Sequence, residues 1–189
     1  MPYPYSLDDY VESVYKYIKD NRLVKPHVIA HSFGARVVIK AVSKYPELFD
    51  KIVITGGAGL KPRFSLKRWI RRNTFRFLKI FLPKSKLHRF YSKDYVSLSP
   101  VMKQSFIKIV NEHLDGYLKS IKNQVLLIYG KKDKETPIYM AKKLHEKIQD
   151  SKLTVYNNAG HFAFIDCPRK FNMEVREFLL SQERCFQQN

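Results

Sequence analysis

The sequence predicts an α/β fold: a mostly parallel sheet flanked by helices, with a helical segment inserted between two strands. Three observations predict it. The runs His27–His31, Lys51–Thr55, Val125–Tyr129 and Ser151–Tyr156 are short and apolar, as strands covered on both faces of a parallel sheet are. Stretches with apolar residues at helical spacing alternate with them. Ser32, Asp133 and His161 each stand just past the carboxyl end of one of these runs, the edge at which open parallel sheets place their active sites.

In chain order, residues 1–5 are extended. Ser6 is an N-cap candidate, with Asp8 and Asp9 in a first turn where carboxylates suit the helix dipole. Tyr10, Val11, Val14, Tyr15 and Ile18 then form a helical stripe that ends near Asn21. The first strand feeds directly into a second stripe, Ala35, Val38, Ile39 and Val42, which runs to about Tyr45. The strand Lys51–Thr55 follows, with the glycine-rich loop Gly56-Gly57-Ala58-Gly59, which lacks the Lys-Ser/Thr of a phosphate-binding loop and reads either as room for an active-site mouth or as a plain turn. Residues 60–122 interrupt the alternation. Leu66, Trp69, Ile70, Phe77, Leu78 and Phe81 interleave with Arg and Lys as a basic amphipathic helix up to Pro83, and a second helix spans Pro100 to Leu118. Beyond the Val125–Tyr129 strand come a helix over Pro137–Ile148, the last strand, and a closing helix from Asp166 to about Ser181 that packs Phe171, Val175, Phe178 and Leu179 on the sheet.

The segment Val28-Ile29-Ala30-His31-Ser32-Phe33-Gly34-Ala35-Arg36 turns a strand into a helix with a serine at its apex. So abrupt a turn strains the apex backbone and calls for small residues two positions to either side, here Ala30 and Gly34. It matches the G-x-S-x-G nucleophile elbow with alanine in the first glycine place. A serine hydroxyl is a poor nucleophile until a base takes its proton. An imidazole is that base, and a buried carboxylate fixes its tautomer and steadies the imidazolium. Ser32 is therefore the candidate nucleophile, His161 the general base and then acid, and Asp133 the orienting carboxylate, with Glu135 as its near rival.

These segments, strand–Ser–helix, strand–Gly130-Lys131-Lys132-Asp133 and strand–Gly160-His161 in that order, resemble the α/β-hydrolase superfamily. The resemblance implies a core made of residues 1–59 and 123–189, with a helical cap at 60–122 over the active site. It favours Asp133 over Glu135 by its offset from Gly130, and makes the Phe33 N–H one oxyanion donor. It also implies that the amino-terminal part of the fold is missing, since members carry several strands before the nucleophile strand, and the loop after the third gives the other oxyanion amide. A serine at the elbow, rather than aspartate, leaves esterase, lipase, thioesterase, amidase and carbon–carbon hydrolase activity open, on an uncharged or anionic small-molecule or lipid-like substrate, with no cofactor and no metal. The alternative is a non-catalytic or truncated hydrolase-like protein that binds a partner or an anionic membrane. Among the other candidates, Asp166 is expected to cap the last helix and His31 to pack beside the serine; His27, His88, His113 and His145 read as surface or satisfied histidines.

Composition sets the remaining bounds. At 189 residues one domain with a sizeable core is expected. Cys167 and Cys185, without metal-ligand spacing, read as reduced thiols. The absence of a secretory leader or membrane-length apolar run makes a cytoplasmic location the default. The formal charge is +18, and residues 61–93 supply twelve Lys and Arg without a single acid. That stretch reads as a solvated cap face or as a contact for an anionic membrane surface; nucleic acid is disfavoured because no binding fold or aromatic platform accompanies it. With no strand before Tyr10, His27–Ala30 would form an unprotected sheet edge, so self-association through that edge is expected.

Overall fold

Four apolar runs lie side by side in a parallel sheet whose strand order follows the sequence: β1 (Val28–His31), β2 (Ile52–Thr55), β3 (Val125–Gly130) and β4 (Ser151–Tyr156). The structure, a computed structural model, describes residues 3–63 and 97–181. The register aligns Ala30 with Ile54, Ile54 with Leu127 and Leu127 with Leu153, so one apolar row crosses the sheet. Sequential order with right-handed crossovers places the connecting helices on one face. There α2 (Phe33–Lys44) and α4 (Ile138–Lys147) join α1 (Leu7–Asp20) in a core built on Leu7, Val11, Ile39, Leu127, Ala141 and Leu144. The opposite face carries Val53, Leu126 and Ile128 and is covered by α6 (Pro168–Leu180) through Phe171, Val175 and Phe178. The buried ammonium of Lys51 fastens that helix, donating to the carbonyls of Phe178 at 2.9 Å and of Ser181, a cation on the negative end of a helix dipole.

The chain divides into two compact units. The sheet, its helices and residues 112–181 make the larger one, with residues 7–60. In the smaller one, residues 3–6, 61–63 and 97–111 are described; α3 (Pro100–Asn111) is started by Ser99, whose hydroxyl accepts the Met102 N–H at 3.3 Å, and the Tyr5 N–H donates to Ser105 Oγ at 2.8 Å. Most of the basic stretch 61–93, including the amphipathic helix read from sequence, lies outside the described residues.

Three boundaries differ from the sequence reading. The helix expected to reach Leu118 stops at Asn111, and Leu114, Leu118 and Ile121 instead bury in the core of the larger unit, so 112–122 belongs with the sheet rather than with a cap. The closing helix is two: α5 (Ala163–Asp166) and α6, separated at Cys167 because Pro168 cannot continue the first. Asp166 does not cap α6; its carboxylate accepts the Gly160 N–H at 2.7 Å.

β1 ends the sheet among the described residues. Val28 and Ser32 send their N–H groups to Lys51 and Thr55 of the β2 side, so by alternation the amides of Ile29 and His31 face away from it, and Ile29 is 52% exposed.

Candidate active site

The elbow is built by hydrogen bonds on both sides of Ser32. Its N–H donates to Thr55 O at 3.1 Å, and its carbonyl accepts from Ala35 and Ala58, each at 3.2 Å. Held in this way, Ser32 adopts φ 47° and ψ −106°, a conformation that L-residues enter only when their surroundings force it. The small neighbours expected from sequence are present, but the fit is ordinary: a Cβ on Gly34 would stand 3.7 Å from the Ala30 Cβ. Phe33 opens α2, and no hydrogen bond within the described residues takes up its N–H, leaving it free at a helix start.

Asp133 and His161 stand on two loops that are stitched together. Lys131 N–H donates to Tyr156 O and Lys132 N–H to Ala159 O, each at 2.9 Å. Gly130 makes the contact feasible, since a Cβ there would lie 2.1 Å from Gly160 O and 2.3 Å from Ala159 O. The turn after β3 then buries the Asp133 carboxylate with four donors around it. Oδ1 accepts the N–H groups of Glu135 at 2.8 Å and Thr136 at 2.9 Å, while Oδ2 accepts Thr136 Oγ1 at 2.7 Å and His161 Nδ1 at 2.9 Å. Burial alone would raise the pKa of this carboxyl, but the bonds from Thr136, His161 and the two backbone amides outweigh it and hold the group below the usual carboxylate range. The acceptor at Nδ1 leaves Nε2 as the nitrogen available for chemistry. Gly56, with φ 53°, lies beneath the ring, where a Cβ would come within 3.1 Å of Cε1 and Nδ1. The glycine-rich loop thus makes room for His161.

The structure brings Asp133 and His161 together as the sequence spacing suggests. It does not join Ser32 to them, for no hydrogen bond links Ser32 Oγ with His161; the partner of Nε2 is Glu135 Oε2, at 3.4 Å. Glu135 is therefore not a second acid at Nδ1 but a carboxylate on the other side of the ring. His31 packs 4.7 Å from the His161 ring and donates Nδ1–H to Thr55 O at 3.0 Å, while its buried Nε2 has no partner among the described residues. Burial, and then the neighbouring His161, push its pKa down. His27 and His145 are engaged elsewhere, with Asp50 at 3.2 Å and Ser151 at 3.0 Å.

Sequence reasoning missed Thr136, Phe162 and Phe164. Thr136 bridges the acid and base, reaching His161 Nδ1 at 3.3 Å; Phe162 and Phe164 flank His31, each at 5.1 Å. The position of Phe162 directly after His161 was the one available signal. Among the described residues no group of His, Cys, Asp and Glu is arranged to hold a metal ion, and no helix is long and apolar enough to cross a membrane.

Comparison with known proteins follows the same outline. Residues 108–184 match the family model of TAP-like proteins. The uncharacterized hydrolase YugF of Bacillus subtilis is 25% identical over 177 residues, covering 80% of this chain and 64% of that protein. The 2-hydroxy-6-oxononadienedioate/2-hydroxy-6-oxononatrienedioate hydrolase of Escherichia coli is 24% identical over 184 residues, covering 83% and 63%. This chain thus spans somewhat less than two thirds of the length of these curated relatives. Among solved structures, a meta-cleavage product hydrolase of Pseudomonas fluorescens superposes with a TM-score of 0.68 at 25% identity, over 94% of this chain and 72% of that one. The esterase of Exiguobacterium antarcticum gives 0.72 at 20% identity, over 93% and 74%, a likeness of fold alone. With the parallel sheet, the serine elbow and the paired Asp and His loops, these matches place the chain in the α/β-hydrolase superfamily.

Proposed function

We propose that the chain hydrolyses an ester-like bond of a small or lipid-like substrate through an acyl-serine intermediate. His161 Nε2 takes the Ser32 hydroxyl proton as Oγ attacks the carbonyl carbon. The Phe33 N–H steadies the oxyanion, the bond to the leaving group breaks, and His161 returns the proton to that group. Water then attacks the acyl-serine with His161 again as base, releasing the acid and restoring Ser32. Asp133 holds the Nδ1–H tautomer throughout. Thioesters, amides and carbon–carbon bonds of β-diketone-like substrates are the alternatives at the same serine. The observation that carries the reading is the 2.9 Å contact between the buried Asp133 carboxylate and His161 Nδ1, on the sheet edge that also bears the strained Ser32. A fluorophosphonate probe tests it: wild type should be labelled, and Ser32→Ala and His161→Ala should not. Both substitutions should also reduce hydrolysis of a short p-nitrophenyl ester about a thousandfold or more with folding intact.

A second reading is favoured by the unlinked Ser32 and by the outer side of β1, which no described strand pairs: a hydrolase-like chain that binds without turnover. An unlabelled wild type would select it. Residues 61–93 read as a solvated face or as a contact for an anionic membrane surface; if they meet such a surface, binding to anionic vesicles should fall steeply between low and physiological salt. Salt-insensitive binding, or none at low salt, would leave that stretch a solvated face.

A further inference from the structure

We propose that Glu135 selects substrates by the charge of the leaving group, favouring cationic over anionic ones; this rests on reading His161 as the base. With Nδ1 committed to Asp133 at 2.9 Å, Nε2 alone can return a proton to the departing atom. That atom must then come within about 3 Å of Nε2. Glu135 Oε2 stands 3.4 Å from the same nitrogen. Leaving group and carboxylate are thus neighbours of one atom, and a substituent a few bonds along the leaving group lies within range of a full negative charge. The placement is not accidental to a loose loop: the Glu135 N–H donates to Asp133 Oδ1 at 2.8 Å, so the turn that buries Asp133 also fixes the backbone of Glu135.

Two further features bear on the sign. Phe162, 47% exposed, holds its ring 5.2 Å from that of His161 and offers an aromatic face to a quaternary ammonium. Lys131, Lys132 and Lys134 flank Asp133 in sequence and are exposed, but among the described residues none forms an ion pair with Glu135, whose close contact there is His161 Nε2, an ion pair only when that imidazole is protonated. The Glu135 side chain is 70% exposed, so water and salt screen it, and a selectivity of roughly three- to tenfold at low salt is the scale expected. The Escherichia coli relative is named for a dioate. A carboxylate beside Nε2 points this chain the other way.

The test compares 2-(trimethylammonio)ethyl acetate with its uncharged isostere 3,3-dimethylbutyl acetate at low ionic strength, reading the ratio of their kcat/KM values so that any shared loss cancels. In Glu135→Gln the charged-to-neutral ratio should fall about three- to tenfold, and in Glu135→Lys further. An unchanged ratio in both variants overturns the proposal. Choline titrated by NMR needs no turnover: it should shift the His161 Hε1 resonance in wild type and much less in Glu135→Gln. No shift in wild type, or equal shifts in the two, also overturns it. A wild type that turns over neither ester and takes no fluorophosphonate refutes the hydrolase reading, while the choline titration still judges Glu135.

Discussion

Replacing Ser32 by glycine should make the protein more stable while removing any chemistry that depends on the hydroxyl. At φ 47° and ψ −106° the Ser32 Cβ crowds its own backbone, a strain of about 1–3 kcal/mol for an L-residue held outside the populated regions. The chain does not relax it because Thr55 O, Ala35 N–H and Ala58 N–H grip the backbone on both sides. Glycine removes the Cβ and keeps those three bonds. Against the gain stands the greater unfolded-state entropy of glycine, about 0.5–1 kcal/mol. The net expectation is about 1 kcal/mol of stabilisation, or roughly 2–4 °C in Tm for a chain of this size. Ser32→Ala is the control: it deletes the same hydroxyl, which makes no hydrogen bond to His161, but keeps the Cβ and so the strain. Urea denaturation at neutral pH should place the midpoint of Ser32→Gly above that of Ser32→Ala, with similar slopes. A glycine variant equal to or less stable than the alanine variant would refute the claim that the elbow stores strain.

Gly130→Ala should separate the two stitched loops, because its Cβ would meet Gly160 O at 2.1 Å; a loss of about 2–3 kcal/mol in urea melts is expected, and a wild-type melt would show that the loops yield freely. Asp133, with its carboxyl held below the ordinary value of 3.8, contributes stability that is present above that pH and lost as pH falls through the lowered value. Stability against pH should therefore be flatter on the acid side in Asp133→Asn than in wild type, and parallel curves would remove Asp133 as the source. If the side of β1 that no described strand pairs is bare, as the proposed self-association requires, light scattering at micromolar concentration should show association that Ile29→Lys reduces; a monodisperse wild type would show that the edge is covered.

The sheet was legible chiefly through its two central strands, β2 and β3, which are buried along their whole length, and nothing but a continuous apolar run meets that demand. Ile52, Ile54, Leu127 and Val53, Leu126, Ile128 alternate between the two cores, yet all six are apolar, so the run marks the strand without marking its faces. Residues 112–122 were misassigned for the opposite reason. Leu114, Leu118 and Ile121 have helical spacing, but only Leu118–Ser120 forms a turn of 3₁₀ helix; the apolar residues are there to fill the core, and burial, not periodicity, decides their place. The break at Cys167 was visible as Pro168, while the short α5 before it was too brief for any periodicity to announce.

At the site, sequence offers two carboxylates two residues apart, and only the resemblance, through the offset from Gly130, favours Asp133. Solvation separates them. The Asp133 side chain is fully buried, and its oxygens are saturated by Thr136, His161 and two amides; a charge so placed has one rotamer and can hold the imidazole in one tautomer. Glu135 keeps 70% of its surface in water and stands 3.4 Å from the ring, so it can face a substrate group beside Nε2 without being locked to the imidazole. The same turn supplies both, since the Oδ1 of Asp133 accepts the N–H groups of Glu135 and Thr136 and thereby fixes the backbone from which the second acid projects. Thr136 went unnoticed because a threonine before a proline is ordinary in any loop; its bridge to acid and base exists only once the turn has closed. The acid proposed to orient the base is thus distinguished by what surrounds it, and the acid proposed to sort substrates by what does not.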